Sequence, residues 1–123
     1  MAPLSAEATA RLAARAALDK NAEDLLILDL RGLSTVADFF VVTSGRSTTQ
    51  ADTIVEAVRM ALKGAGSPPR HQEGSAESGW LLLDYVDVIV HVFVGATLHF
   101  YALERLWGDA PLLSVERGAA ARD

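Results

Sequence analysis

Residues 79–107, GWLLLDYVDVIVHVFVGATLHFYALERLW, constrain the fold of this chain more than any other stretch. Two apolar runs, WLLL at 80–83 and VIVHVFV at 88–94, flank DYVD at 84–87. Runs this short and this rich in β-branched and aromatic residues favour strands. A β-hairpin that feeds a helix is expected. If Tyr85 and Val86 form a two-residue loop, counting outward sets Asp84 opposite Asp87, Leu82 opposite Ile89 and Trp80 opposite His91. Side chains alternate between faces with period two. One face then carries Trp80, Leu82, Asp84, Asp87, Ile89 and His91, and the other carries Leu81, Leu83, Val88, Val90 and Val92. The second set reads as core. The first ends in two like charges opposed across the turn, which weakens a sheet by a few tenths of a kcal/mol, up to about 1. An incoming cation would relieve that repulsion.

Further elements surround the hairpin. Residues 4–20 are alanine-rich, with Ser5 placed to cap, and predict a helix whose thin apolar stripe is Leu4, Ala8, Leu12 and Ala16. Its role is packing. DLLILDL at 24–30 and DFFVVT at 38–43 predict two strands joined by turn residues at 31–35. Both are apolar at nearly every position, which suits strands covered on both faces. Ser47 and Gln50 match a capping box, and Ala51, Ile54, Val55, Val58, Ala61 and Leu62 recur at helical spacing. Gly64 or Gly66 can stop that helix, and its outward Asp52, Glu56, Arg59 and Lys63 form a solvated face.

Residues 67–74 hold an edge strand, since Pro68 and Pro69 cannot donate to a ladder, and 73–79 form a flexible connector. After the hairpin, Thr97 can cap a helix with Phe100, Leu103, Leu106 and Trp107 on one side, ended by Gly108. The order α-β-β-α-β-β-β-α predicts a single α/β (α+β) domain, a mixed sheet of about five strands with helices packed on it. Within it, residues 1–21 are the N-terminal helix, 22–113 the core and 114–123 a flexible tail.

At 123 residues, half of them hydrophobic, the chain can bury an adequate core. It has no cysteine, so disulfides, Cys-based zinc sites and thiol chemistry are excluded. No signal-peptide pattern opens the sequence and no apolar run approaches the ~20 residues of a membrane span, so a cytoplasmic location is expected. The net charge is −5, from 16 acidic and 11 basic side chains, without a Lys/Arg cluster. Direct gripping of nucleic acid calls for a basic footprint, because phosphate neutralisation dominates that affinity. An acidic chain suits a basic protein partner instead.

Candidate chemistry is sparse. His71, His91 and His99 lack metal-ligand spacing, and neither a metal nor a cofactor is expected. His91, in an apolar strand, is either a satisfied core histidine or, beside Trp80, a group that holds the indole. Ser44-Gly45, at a strand end before a helix start, has the place of an anion cradle. Phosphoryl chemistry also needs carboxylates converging on Mg²⁺, and Asp84 and Asp87 are remote from that motif in chain order. A small-residue turn into the helix is the simpler account, and no catalytic residue is assigned.

Trp80, Leu82-Leu83-Asp84-Tyr85, Asp87, Val90-His91, Phe100-Tyr101 and Leu103-Glu104-Arg105-Leu106-Trp107, with Asp109-Ala110-Pro111, are together similar to the ribosomal silencing factor family, RsfS, also called Iojap. Upstream, Asp29-Leu30, Asp38-Phe39-Phe40-Val41 and Ser44-Gly45 extend the resemblance over roughly residues 22–111. Val86 departs from the Gly that many members carry, as does Leu98-His99 from the charged residue many have before the Phe-Tyr pair. The resemblance implies a nucleotidyltransferase-like fold without catalytic residues. It also implies a repressor of translation that binds protein uL14 of the large ribosomal subunit and blocks joining of the small one. The implied contact set is Trp80 and Leu82 at the centre, Asp84 and Asp87 receiving basic side chains, and Glu73, Tyr85 and His91 around them. Aromatic enrichment at interface hot spots fits Trp80 as an anchor, whereas a strand-start aromatic can equally fill a core. Two alternatives remain open: a nucleotidyltransferase-like nucleotide-binding protein or enzyme using Ser44 and Gly45, and a homodimer formed through the hairpin face.

Overall fold

Two serines start the two helices found among the described residues. In the computed structural model, which describes residues 4–95 and 110–113, the Ser5 hydroxyl accepts from Ala8 N–H at 3.0 Å and opens α1 (Ala6–Leu18). Ser47 accepts from Gln50 N–H at 3.1 Å and opens α2 (Thr48–Gly64). Gln50 accepts from Arg46 N–H and donates to the carbonyls of Lys20 and Asn21, so one side chain ties the end of α1 to the start of α2. At the far end Gly66, with φ +85°, lets its own N–H reach Lys63 O and Ser67 N–H reach Leu62 O, a Schellman stop.

The strands are β1 (Glu23–Asp29), β2 (Phe39–Gly45), β3 (His71–Ser75), β4 (Trp80–Asp84), β5 (Val88–Val94) and β6 (Leu112–Leu113). They form one sheet in the order β3-β4-β5-β2-β1-β6. The β2–β5 pair is parallel and the others are antiparallel. The domain is therefore mixed α/β, as expected, with six strands among the described residues rather than about five. The additional strand, β6, is too short to carry a periodic signal; it pairs Leu112 and Leu113 with Leu28 and Ile27 on β1. The helix expected over 97–108 and the tail at 114–123 lie outside the described residues.

Both helices cover the same face of the sheet. Beneath them Ile27, Phe39, Val41, Leu83, Val88 and Val90 meet Ala51, Ile54, Val58 and Leu62 of α2. Helix α1 contributes Ala10, Ala13, Ala14 and Ala17, each fully buried. Of the expected Leu4, Ala8, Leu12 and Ala16, Ala16 is buried and Leu4 and Leu12 pack partly buried against the core, but the stripe's centre is offset onto Ala10, Ala13, Ala14 and Ala17. A strict fourfold spacing drifts around a helix of 3.6 residues per turn, whereas spacings of three and four stay on one face. Small side chains at that face let α1 approach closely. Strand β2 is buried along its whole length, matching its unbroken apolar sequence.

The opposite sheet face has its own cluster, formed by Leu28, Leu30, Phe40, Val42, Ile89, Phe93 and Ala110, with Trp80 and Leu82 partly buried at its border.

Candidate functional site

The hairpin closes two residues away from the expected register. Trp80 pairs with Phe93, Leu82 with His91 and Asp84 with Ile89. Tyr85 N–H donates to Val88 O at 2.8 Å, and Asp87 N–H donates to Tyr85 O at 2.9 Å. Val86 sits between them with φ +76°, the geometry of a γ-turn with positive φ. A type I′ loop would need two positive-φ residues and suits neither Tyr85 nor Val86. A shift of two preserves side-chain parity. Trp80, Leu82, Asp84, Ile89 and His91 consequently keep their common face even though their partners change.

The expected opposition of Asp84 and Asp87 does not form. Asp84 accepts from Val86 N–H at 2.7 Å and pairs with the Arg70 guanidinium at 2.7 Å. Burial raises its pKa, but the Arg70 and Val86 hydrogen bonds, with the charges of Arg70 and His71, outweigh it and hold the carboxyl below its ordinary value. Asp87 is exposed, and its carbonyl receives the N–H groups of Asp38 and Phe39 at the head of β2. Tyr85, expected at the rim, points to the helix side and is buried in the main core. Burial pushes its phenol up to about 12, and its hydroxyl has no hydrogen-bond partner.

The register of β3 on β4 sets His71 opposite Asp84, Glu73 opposite Leu82 and Ser75 opposite Trp80. Glu73 is exposed on the Trp80 face and lies 2.7 Å from His71 Nε2. Leu82 is half-buried beside it. Trp80, also half-buried, donates its indole N–H to His91 Nδ1 at 3.1 Å. His91 is 6% exposed, and burial lowers its pKa to about 4, so the ring is neutral. It lies between near-parallel rings of Trp80 and Phe93, with Phe40 tilted at a centroid distance of 4.6 Å. Its other nitrogen, Nε2, is buried without a hydrogen-bond partner.

The resulting surface has a half-buried aromatic and aliphatic centre, Trp80 and Leu82, flanked by Glu73 and Asp84. Asp87 lies at the turn beyond them, and Tyr85 is separated from the set by the sheet. Sequence reasoning missed Arg70 as the partner of Asp84. No local signal marks it: the pairing follows from the antiparallel register of β3 on β4, which also brings the Arg70 N–H to Asp84 O.

Ser44 and Gly45 end β2 with different partners. Ser44 is buried, its hydroxyl 3.4 Å from Glu23 O. A Cβ on Gly45 would lie 2.9 Å from Ala51 N, so the glycine allows strand and helix backbones to touch. Among the described residues no group of three or more His, Cys, Asp or Glu side chains is placed to hold a metal ion. Among them, too, no helix is long and apolar enough to cross a membrane.

Among the described residues, a six-stranded mixed sheet with two helices on one face, and an aromatic-acidic patch on the other, defines an α/β domain with a candidate protein-docking face. The profile of the family described as "Ribosomal silencing factor during starvation" matches residues 3–123. The chain is 42% identical over 108 residues to the ribosomal silencing factor RsfS of Bacillus subtilis, covering 88% of this chain and 92% of that protein. It is 38% identical over 106 residues to that of Halalkalibacterium halodurans, covering 86% and 91%. A crystal structure of a protein from Chromobacterium violaceum superposes with a TM-score of 0.79 at 31% identity, covering 97% of this chain and 98% of that one. The chain belongs to the ribosomal silencing factor family.

Proposed function

We propose that the protein is a non-catalytic repressor of translation that binds uL14 of the large ribosomal subunit and thereby blocks joining of the small subunit in the cytoplasm. The observation that carries this reading is the patch itself: Trp80 and Leu82 half-buried on a sheet face, bordered by Glu73 and Asp84. A large aromatic with solvent on one side is the residue type that dominates interface energetics. Acidic neighbours in a chain of net charge −5 suit a basic ribosomal protein and speed encounter with it. Family membership supports the ribosomal assignment. For Ser44 and Gly45, contact with Glu23 and Ala51 is a sufficient account and needs no nucleotide.

Sedimentation of the purified protein with isolated large subunits tests the reading, followed by light scattering as small subunits are added. The expected result is co-sedimentation and reduced joining. Trp80→Ala should weaken binding by roughly thirtyfold, the effect of a hot-spot aromatic. Joining that proceeds normally at saturating protein would overturn the proposal.

A further inference from the structure

We propose that His91 is a positioning residue, which fixes the indole of Trp80 in its docking orientation without touching the partner. The inference rests on the preceding reading of the Trp80 face.

Three observations converge on it. First, the hydrogen bond runs from Trp80 Nε1 to His91 Nδ1 at 3.1 Å. An accepting Nδ1 in a neutral imidazole leaves the proton on Nε2. Second, that Nε2–H is buried and has no acceptor. A buried donor without a partner destabilises a fold, and a leucine or phenylalanine would fill this aromatic cluster without that cost. What histidine supplies here and an apolar residue could not is the Nδ1 acceptor, and the acceptor is used on Trp80. Third, the two residues differ in access. His91 is 6% exposed, whereas Trp80 is half-buried. A partner can reach the indole but not the imidazole.

The packing explains why the acceptor stays in place. Trp80 and His91 are within 11° of parallel at 5.9 Å between centroids, His91 and Phe93 within 5° at 6.3 Å, and Phe40 closes on the ring at 4.6 Å. These rings and the 6% exposure of His91 oppose rotation of the imidazole, and the indole hangs from it by its only polar atom. Ordering a rotamer before association removes part of the entropy lost on binding.

The test compares His91→Leu, which cannot accept, with His91→Gln, whose amide oxygen can, each with Trp80 or Trp80→Phe present. Affinity for isolated large subunits is measured, together with the indole N–H resonance of Trp80 in ¹⁵N-labelled protein, distinguished from Trp107 by its loss in Trp80→Phe. His91→Leu should lose about tenfold in affinity, with the unfolding midpoint unchanged or raised, and His91→Gln should recover most of it. In the Trp80→Phe background His91→Leu should have no further effect. Wild-type affinity in His91→Leu, or an equal loss in both backgrounds, would overturn the proposal. If the wild type itself fails to bind large subunits, the docking reading falls, while the resonance still decides the positioning. An indole N–H equally protected from exchange in His91→Leu and wild type refutes it.

Discussion

Arg70 holds Asp84 at 2.7 Å, and it does so from a position 61% exposed while the carboxylate is 14% exposed. The acidic group at the edge of the candidate docking face is thus already engaged within its own chain. It also caps the γ-turn through Val86 N–H. In the proposed complex, a cation from the partner would have to share or displace Arg70.

Asp84 therefore stabilises the free protein, contrary to what two opposed carboxylates would do. Asp84→Ala should lower stability by about 1 kcal/mol, since a turn cap and a solvent-screened ion pair are both lost. Asp87→Ala should change it by less than about 0.5 kcal/mol. Urea denaturation of both variants decides this; an Asp84→Ala protein as stable as wild type would contradict the assignment. Arg70→Ala should bind a basic partner more tightly at low salt by freeing the carboxylate.

Val86 occupies positive φ with a β-branched side chain, 50% exposed and making no use of its size. Val86→Gly should raise stability by about 1 kcal/mol, because the strain removed exceeds the entropy that glycine adds to the unfolded chain. A lower melting temperature for this variant would show that the turn is not strained.

His91 gives stability a pH dependence of known sign. Its folded pKa, about 4, is depressed from 6.5, so the unfolded chain takes up a proton that the folded one refuses. Its contribution is fully present above pH 6.5 and is lost as pH falls toward 4. Between pH 6.5 and 5 the loss is about 2 kcal/mol. Denaturation at pH 7.5, 6 and 5 should give a steeper decline for wild type than for His91→Gln, in which the other acidic and histidine side chains are unchanged. Parallel declines would place His91 in a solvated setting.

Gly45→Ala would drive a Cβ to 2.9 Å from Ala51 N, and backbone cannot yield as a flexible side chain does. Destabilisation of at least about 1 kcal/mol is expected, a typical overpacking cost. Ser44→Ala, which removes a hydroxyl 3.4 Å from its acceptor, should be much milder. Thermal melts of the two variants side by side are the measurement.

Local chemistry determined much of this protein. Ser47, Gln50 and the apolar spacing of α2 mark that helix from its cap to Leu62, because capping and amphipathic period are properties of neighbouring residues. The alternation in 80–94 sorted Trp80, Leu82 and His91 onto one face, and that assignment survived a wrong register because the error was an even number of residues. The tertiary structure alone decided what those faces meet. Arg70 reaching Asp84, Tyr85 turning into the core and β6 joining β1 depend on strand order and on which face the helices cover. The Trp80–His91 contact is expected from the sequence between directly opposed residues; the turn at Val86 shifts the register by two, and the hydrogen bond forms diagonally instead. A period-two pattern fixes which way a side chain points, whereas its partner depends on where another strand, distant in sequence, comes to rest.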